Sequence, residues 1–562
     1  MGRMKTMETP PATTTPNPQP GLPAAPATDG PIFHFNRDRE AIVDEVVARE
    51  FARVGGSLDA LELALNDAAY SEITRLEKAG GRKQTPELGF WRELHRTLGG
   101  KPMAEKQALF RRLATQYARD IVGNFDLKAY RFATSLVPMG LSLIMRPQGK
   151  SRRFLNLNST LTERVRVQGH VETLQELAKK GTVILVPTHS SNLDSIVIGW
   201  AIYHLGLPPF TYGAGKNLFT NPILSYFMRN LGAYRVDRRL SHGLYKDVLK
   251  TYSTVLLERG YHSLFFPGGG RCRSGAIEQK LKLGLLGTGL AAYINNLQRG
   301  KAEPNVYIVP CTLNYPLVLE AATLIDDQLQ LVGRSRYIIE DDEFSHATLV
   351  GRFIKQVLSM DVSVVIQVGE PLDPFGNRVG PDGKSYDKRG REIDLRKYVE
   401  VHGVPQHQAQ RDQQYTKELG AAIADAYKRN NVILPSHLVA FTLFQTLKRR
   451  HPRLDLFKLL RLPAEDAVVS LAEFYQQLEV VRSELLMTSD QGQIMVSGVV
   501  RKGPAEAITA NALRSFGMFH AVPPLCRQEG DVSAGDMKLL LFYQNRLSGY
   551  GLEALFAEEV QA

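Results

Sequence analysis

Cysteine is scarce in this 562-residue chain: Cys272, Cys311 and Cys526 are three in all, far apart and without a CxxC pair. That usage offers neither a zinc site nor a disulfide framework, and it points to a reducing compartment. Long apolar runs are missing too. No stretch reaches the roughly 18 residues that a spanning helix needs. The nearest, Phe132 to Met145, is short and broken by Pro138, and reads as a buried core helix or an interfacial one between Arg131 and Arg146. Met1-Gly2-Arg3-Met4-Lys5-Thr6 lacks an apolar signal-peptide core, which disfavours secretion, and its fit to the loose myristoylation pattern is what chance allows. No GxGxxG follows a strand, which disfavours a dinucleotide. Gly213-Ala214-Gly215-Lys216 fails as a P-loop, because Phe210 and Asn217 stand where glycine and Ser/Thr are required. There is no internal repeat.

What the chain does have is basic charge in one place. Its net charge is +11, and between Ser151 and Lys280 there are 17 Lys/Arg against 8 Asp/Glu. Such concentration suits an anionic substrate, an anionic membrane surface or nucleic acid. The last lacks support, since no aromatic interleaving or recognition motif accompanies the charge.

Patterning divides the chain. Residues 1–31 form a Pro/Thr-rich tail expected to be disordered. Over 32–150 the apolar residues Ile42, Val43, Val46, Val47 and Phe51 recur at helical steps, predicting an N-terminal helical domain. From 151 to 370 short apolar strands (Val183–Val186, Ser263–Phe266, Val306–Val309, Val362–Val368) alternate with helices near Ser195–Leu205, Tyr245–Arg259 and Leu281–Leu297. This predicts an α/β fold with a mixed, partly parallel central sheet flanked by helices. Residues 371–407, rich in Pro, Gly and charge, read as a loop or linker, and 408–562 as a C-terminal helical region. There Leu438, Phe441, Leu443, Phe444 and Leu447 run into Lys448-Arg449-Arg450, either a dipole-complemented helix end or a membrane-facing helix.

Four elements inside the α/β region carry chemistry. First, Pro187-Thr188-His189-Ser190-Ser191-Asn192-Leu193-Asp194 follows an apolar strand. His189 and Asp194 meet only if the histidine lies in a loop and the aspartate in the first helical turn, a start that Ser190, Ser191 and Asn192 are suited to cap. A histidine oriented by an acid is a general base near neutral pH. Second, Gly232 precedes Arg235, Arg238 and Arg239, which form a phosphate clamp or merely a basic strand end. Third, Phe265-Phe266-Pro267-Gly268-Gly269-Gly270-Arg271-Cys272-Arg273-Ser274-Gly275 lets glycine backbone approach an anion, with Arg271 and Arg273 adding charge and Ser274 a hydroxyl. Cys272 reads as a non-catalytic thiol, and His170, His204, His242 and His262 as ordinary histidines. Fourth, Val306-Tyr307-Ile308-Val309-Pro310-Cys311-Thr312-Leu313-Asn314-Tyr315-Pro316 holds a buried strand, Val306–Val309, ending at Pro310, and reads as more structural than chemical.

In order and spacing these elements resemble the glycerolipid acyltransferase family, specifically its glycerol-3-phosphate and acylglycerol-phosphate acyltransferases. The family's HxxxxD block resembles His189 to Asp194, its second block Gly232 to Arg238, its P-E-G-[TG]-R-S-R block Pro267 to Arg273, and its Val-Pro strand end Val309-Pro310. Lys216 before Leu218 and Pro222, and Lys282-Leu283-Gly284, match two lesser features. The likeness covers about residues 165 to 370, and the flanking helical regions look more like the glycerol-3-phosphate enzymes.

The resemblance implies transfer of a fatty acyl group from a thioester, acyl-CoA or acyl carrier protein, to glycerol-3-phosphate in phospholipid synthesis. The alternatives are acylation of lysophosphatidate or dihydroxyacetone phosphate, or a non-catalytic membrane- or lipid-binding relative. It implies His189 and Asp194 as catalytic residues. Lys216, Arg238, Gly269, Gly270, Arg271, Arg273, Ser274 and Lys282 would bind substrate. No metal or cofactor is expected, and the protein is expected at the cytoplasmic face of a membrane as a peripheral partner. One departure stands out: where the third block of the family has glutamate, this chain has Gly268. That glutamate is associated with acceptor binding or site architecture, so its replacement bears on the acceptor more than on the acyl chemistry. Cys272 in place of serine is milder.

Overall fold

Apolar residues at three- and four-residue steps wind into the first helix, α1 (Phe35–Val54), on which Ile42, Val43, Val46 and Val47 are all buried. The structure is a computed structural model and describes residues 29–80, 85–134, 165–216, 222–332 and 364–557. Most of the tail expected over 1–31 and of the stretch Phe132–Met145 lies outside the described residues. Helices α2 (Leu58–Gly80), α3 (Pro86–Thr97) and α4 (Met103–Ile121) complete the helical N-terminal region. α3 starts where its sequence says it should. The Leu88 N–H donates to Thr85 Oγ1 at 3.2 Å, and Pro86 occupies the first turn, where an amide has no helical partner to lose.

Seven strands then form one sheet, in chain order β1 (Val165–Gly169), β2 (Thr182–Pro187), β3 (Thr211–Gly215), β4 (Ala233–Val236), β5 (Ser263–Leu264), β6 (Val306–Asn314) and β7 (Val364–Val368). Their spatial order is β1-β7-β6-β2-β5-β3-β4. β6, β2, β5, β3 and β4 run parallel, β7 is antiparallel to β6, and β1 is parallel to β7. The sheet is therefore mixed and mostly parallel, with the flanking helices and helical end regions that the sequence pattern predicts. β2 and β6 are buried along their whole length, as central parallel strands are. Alternate side chains divide between two layers. Ile184 and Val186 join Leu286, Leu290, Ile423 and Tyr427, whereas Val183 and Leu185 join Ile198, Ala201 and the C-terminal helices.

The connecting helices are α5 (Val171–Lys180), α6 (Asp194–His204), α7 (Pro222–Asn230), α8 (Gly243–Glu258), α9 (Leu283–Gln298) and α10 (Ala321–Val332). β1 and β3 were not among the expected strands. β1 lies at the sheet edge with Arg166, Gln168 and Gly169 exposed, and β3 contains Gly213 and Gly215, so neither shows an apolar run. Pro310 was expected to end its strand, yet β6 runs on to Asn314. The proline falls between the Ile308–Leu372 bridge and the first β6–β7 pair, Cys311 with Val368, and its carbonyl still accepts the Gly369 N–H at 2.8 Å.

Residues 371–407 contain two-residue strand pairs, Arg378–Val379 and Glu392–Ile393 on either side of Ser385–Tyr386, and Glu400–Val401 with Val404–Pro405. Beyond them come α11 (Ala409–Arg429), α12 (Pro435–Arg450), α13 (Leu471–Asp490), α14 (Ala505–Phe516) and α15 (Met537–Gln544). α12 is buried on every side from Pro435 to Leu447, packed among α13, α14 and α15. A helix covered all round is core, which overturns the membrane-facing reading of Leu438–Leu447. Arg449 and Arg450 at its end pair with Glu473. Among the described residues no helix is long and apolar enough to cross a membrane.

Candidate active site

β2 ends at Pro187 and α6 begins at Asp194, so His189 lies in the connecting turn. This is the arrangement the spacing required. His189 Nδ1 lies 2.8 Å from Asp194 Oδ2. Asp194 is fully buried and also accepts the N–H groups of Ser190 (2.7 Å) and Ser191 (2.9 Å) and the hydroxyl of Tyr315 (2.7 Å). With Nδ1 facing a carboxylate that can only accept, the proton of a neutral imidazole belongs on Nδ1, and Nε2 is left to take one. The ring stacks on Phe266, with centroids 4.2 Å apart and an interplanar angle of 21°. The capping expectation for Ser190, Ser191 and Asn192 fails, because the aspartate reaches back to the serine amides. Leu193 is the N-cap and makes no side-chain cap.

Two buried carboxyls grip the turn from outside it. Glu320 accepts the Asn192 N–H at 3.0 Å and the Ser191 hydroxyl at 3.1 Å. Burial pushes its carboxyl up, while these hydrogen bonds and the positive charge of Arg271 oppose the rise. Glu278 accepts the His189 N–H at 2.8 Å. Burial pushes Glu278 up to about 8 against that hydrogen bond, and the negative charge of Asp194 adds to the rise. Between 4.5 and about 8 the folded chain therefore keeps a proton on Glu278 that the unfolded chain releases. Its contribution to stability is full below that window and is lost as pH rises through it, by up to about 1.4 kcal/mol per unit. Thermal melts at pH 5 and pH 9 should show the wild type losing ground to Glu278→Gln at the higher pH. An unchanged difference would remove the charge from Glu278.

The glycine loop wraps the same histidine. The Cys272 N–H donates to His189 O at 2.7 Å, and the Lys282 N–H closes the loop on Pro267 O at 2.7 Å. The Gly269 N–H donates to Phe266 O, so that amide is held within the turn, and Gly269 adopts φ +74°, which favours glycine. A Cβ on Gly269 would meet Lys282 Nζ at 2.7 Å, and one on Gly270 would lie 4.0 Å from an Arg238 guanidinium nitrogen. His189, Asp194, Gly269, Gly270, Arg238 and Lys282 are thus brought together, with Arg271 near enough to act on Glu320.

Other expected residues are engaged elsewhere. Lys216 pairs with Asp120 at 3.2 Å and Asp237 at 3.5 Å. Arg273 is half exposed and faces Asp327 at 3.8 Å. Ser274 Oγ accepts the Ala276 N–H at 3.3 Å. Of the second block, Arg239 forks onto Asp237 and Arg235 reaches Asp120. Cys272 donates to Ala276 O at 3.0 Å, and burial raises its thiol pKa, which suits the non-catalytic reading.

The C-terminal region forms the back wall, which sequence reasoning missed. His437 accepts the Leu434 N–H on Nδ1 and contacts Tyr315 O through Nε2 at 3.1 Å. Burial pushes His437 down to about 3, so it remains neutral and holds the residue that holds Asp194. Arg546, a buried arginine, donates to Leu313 O and to the side-chain oxygens of Asn314 and Asn431. Ser190, Cys272, Tyr315, His437 and Arg546 surround an internal space of about 20 Å³. The one available signal was Tyr315, which follows β6 directly within the fourth element.

Comparison with known proteins places this site in context. Residues 166–314 match the family described as Acyltransferase. The glycerol-3-phosphate acyltransferase of Actinobacillus succinogenes is 32% identical over 236 residues, 41% of this chain and 27% of that protein. That of Pseudomonas syringae pv. tomato is 29% identical over 282 residues, 50% of this chain and 30% of that protein. The matching part of the chain thus spans less than a third of the length of these relatives. The crystal structure of the 1-acyl-sn-glycerophosphate (LPA) acyltransferase of Thermotoga maritima aligns at 17% identity over 44% of this chain and 72% of that one, with a TM-score of 0.23.

Proposed function

We propose that this chain, whose residues 166–314 form an acyltransferase-family domain, moves a fatty acyl group from acyl-CoA or acyl carrier protein to glycerol-3-phosphate. The observation that carries the reading is the His189–Asp194 contact of 2.8 Å beside a glycine loop flanked by Lys282 and Arg238. The names of the relatives favour glycerol-3-phosphate as acceptor.

In this mechanism His189 Nε2 takes the proton of an acceptor hydroxyl as its oxygen attacks the thioester carbonyl. Asp194 stabilises the imidazolium that forms. The tetrahedral adduct collapses, the C–S bond breaks, and the departing thiolate takes the proton back from Nε2. No acyl-enzyme is needed. Lys282, Arg238 and Arg271 hold the phosphate and so align the hydroxyl with the base. The amphiphilic product suits a protein working peripherally at the cytoplasmic face of a membrane.

Product analysis tests the reading. The full chain is given glycerol-3-phosphate, dihydroxyacetone phosphate or lysophosphatidate separately, with each donor type. Acylation of glycerol-3-phosphate is expected; turnover of another acceptor alone would move the assignment, and none at all would end it. Lys282→Ala and Arg238→Ala should each raise the acceptor KM about 10- to 100-fold, the worth of a hydrogen bond to a charged group. The thioester KM should stay as it was. Steady-state titration of both substrates measures this, and an unmoved acceptor KM would take that residue out of the phosphate site.

A further inference from the structure

Gly268 is not an open position. A Cβ built there would lie 2.6 Å from Glu278 Oε2, 2.7 Å from its carboxyl carbon and 3.0 Å from Oε1. All three distances are inside normal contact, so the Glu278 carboxyl already fills the space into which a side chain at 268 would project. The loop closure between Pro267 O and the Lys282 N–H is what folds Glu278 back onto the block.

Its two oxygens differ. Oε1 accepts the His189 N–H, whereas Oε2 is buried and has no hydrogen-bond partner among the described residues. A buried polar atom left in this way is costly, and a leucine or methionine would pack the same space without the penalty. The carboxyl must therefore answer to something other than packing. The contact it makes is with the backbone of His189, whose carbonyl is held by the Cys272 N–H of the same loop. The loop thus fixes the peptide groups on either side of the His189 Cα, and the ring can then lie flat on Phe266 with Nδ1 on Asp194.

We propose that Glu278 is the positioning acid of this site: it supplies, from further along the loop, the carboxyl that the block lacks at Gly268, and through the His189 backbone it orients the base. A proton on Glu278, which burial and the Asp194 charge favour against the His189 N–H and the Arg546 guanidinium, lets the group accept the His189 N–H without setting a second negative charge beside Asp194. The kinetic part of this proposal rests on the acyl-transfer reading above; the exchange of one carboxyl position for another does not.

The test uses the full chain and four variants: Glu278→Ala, Glu278→Gln, Gly268→Glu, and Gly268→Glu combined with Glu278→Gly. Glu278→Ala should lower kcat about 100-fold, the scale of a misplaced catalytic group. Glu278→Gln, which keeps an acceptor for the His189 N–H, should rescue most of that loss and should also lack the fall in kcat expected of the wild type above about pH 8. Gly268→Glu alone should be inactive and less heat-stable, and adding Glu278→Gly should restore both properties. A folded Glu278→Ala with wild-type kcat and pH profile would overturn the proposal, as would a double variant no better than Gly268→Glu. If the wild type transfers no acyl group, the preceding reading fails, and the melting temperatures of the last two variants still decide whether the two carboxyls share one space.

Discussion

Replacing His189 by alanine should lower kcat for acyl transfer by about 10²- to 10⁴-fold, the range spanned by general-base catalysis. The fold should survive, for structural reasons. The imidazole is partly exposed, at 17%, and among the described residues its side-chain partners are Asp194 and the face of Phe266. Once the ring is gone, Asp194 still accepts Ser190 N–H, Ser191 N–H and the Tyr315 hydroxyl, so no buried carboxylate is stranded. The backbone bonds of residue 189 to Glu278 and Cys272 do not need the ring either. The expected cost in stability is therefore that of one hydrogen bond and one stacking contact, about 1–3 kcal/mol. Thiol release with saturating acceptor and a thermal melt measure the two effects separately. A variant that melts like the wild type and turns over at a comparable rate would rule out His189 as the base.

This dyad was legible in the sequence because it is local. A strand, a turn and a helix start lie within a dozen or so residues, and the helix geometry alone says which residue must be in the loop. The central strands were legible for a related reason. Val183–Val186 and Val306–Val309 are apolar on both faces, and a segment buried on both sides has to look like that. β1 and β3 carry no such mark, since a sheet edge and a glycine-rich strand can be polar or small.

The remainder of the site was hidden because it is assembled across the chain. Tyr315 reaches Asp194 from 121 residues away, and Arg546 reaches Asn314 from 232. No periodicity reports such pairs, because a buried polar residue is placed by its partner rather than by its neighbours in sequence. Gly268 illustrates the same limit. In sequence it reads as a missing carboxyl, yet in space a carboxyl is present, carried there by the loop closure at Pro267 and Lys282. The basic excess was also only half informative. Lys216, Arg235 and Arg239 pair with Asp120 or Asp237, whereas Arg238 and Lys282 lie against the glycine loop and Arg271 acts on Glu320.

Asp194 is where catalysis and stability should separate most clearly. Asp194→Ala removes the acceptor of three buried donors besides His189: two backbone amides and the Tyr315 hydroxyl. Each donor left without a partner costs about 1–3 kcal/mol, so a loss of several kcal/mol is expected, enough to threaten the fold. Asp194→Asn is the sharper experiment. With its amide oxygen turned to the Ser190 and Ser191 N–H groups and its amide nitrogen donating to the Tyr315 oxygen, asparagine keeps these contacts in the same volume and leaves the Tyr315 O–H alone to lose its acceptor. It should melt within about 1–2 kcal/mol of the wild type. What it lacks is charge, so the imidazolium formed at His189 during proton transfer loses its counterion, and kcat should fall about 100-fold or more. Measured side by side, the alanine variant should fail mainly in the melt and the asparagine variant mainly in turnover. Wild-type turnover in Asp194→Asn would reduce Asp194 to a structural anchor for the turn. A wild-type melt in Asp194→Ala would mean that the donors around it find other partners, and that the turn holding His189 is built more loosely than four hydrogen bonds to one buried carboxylate require.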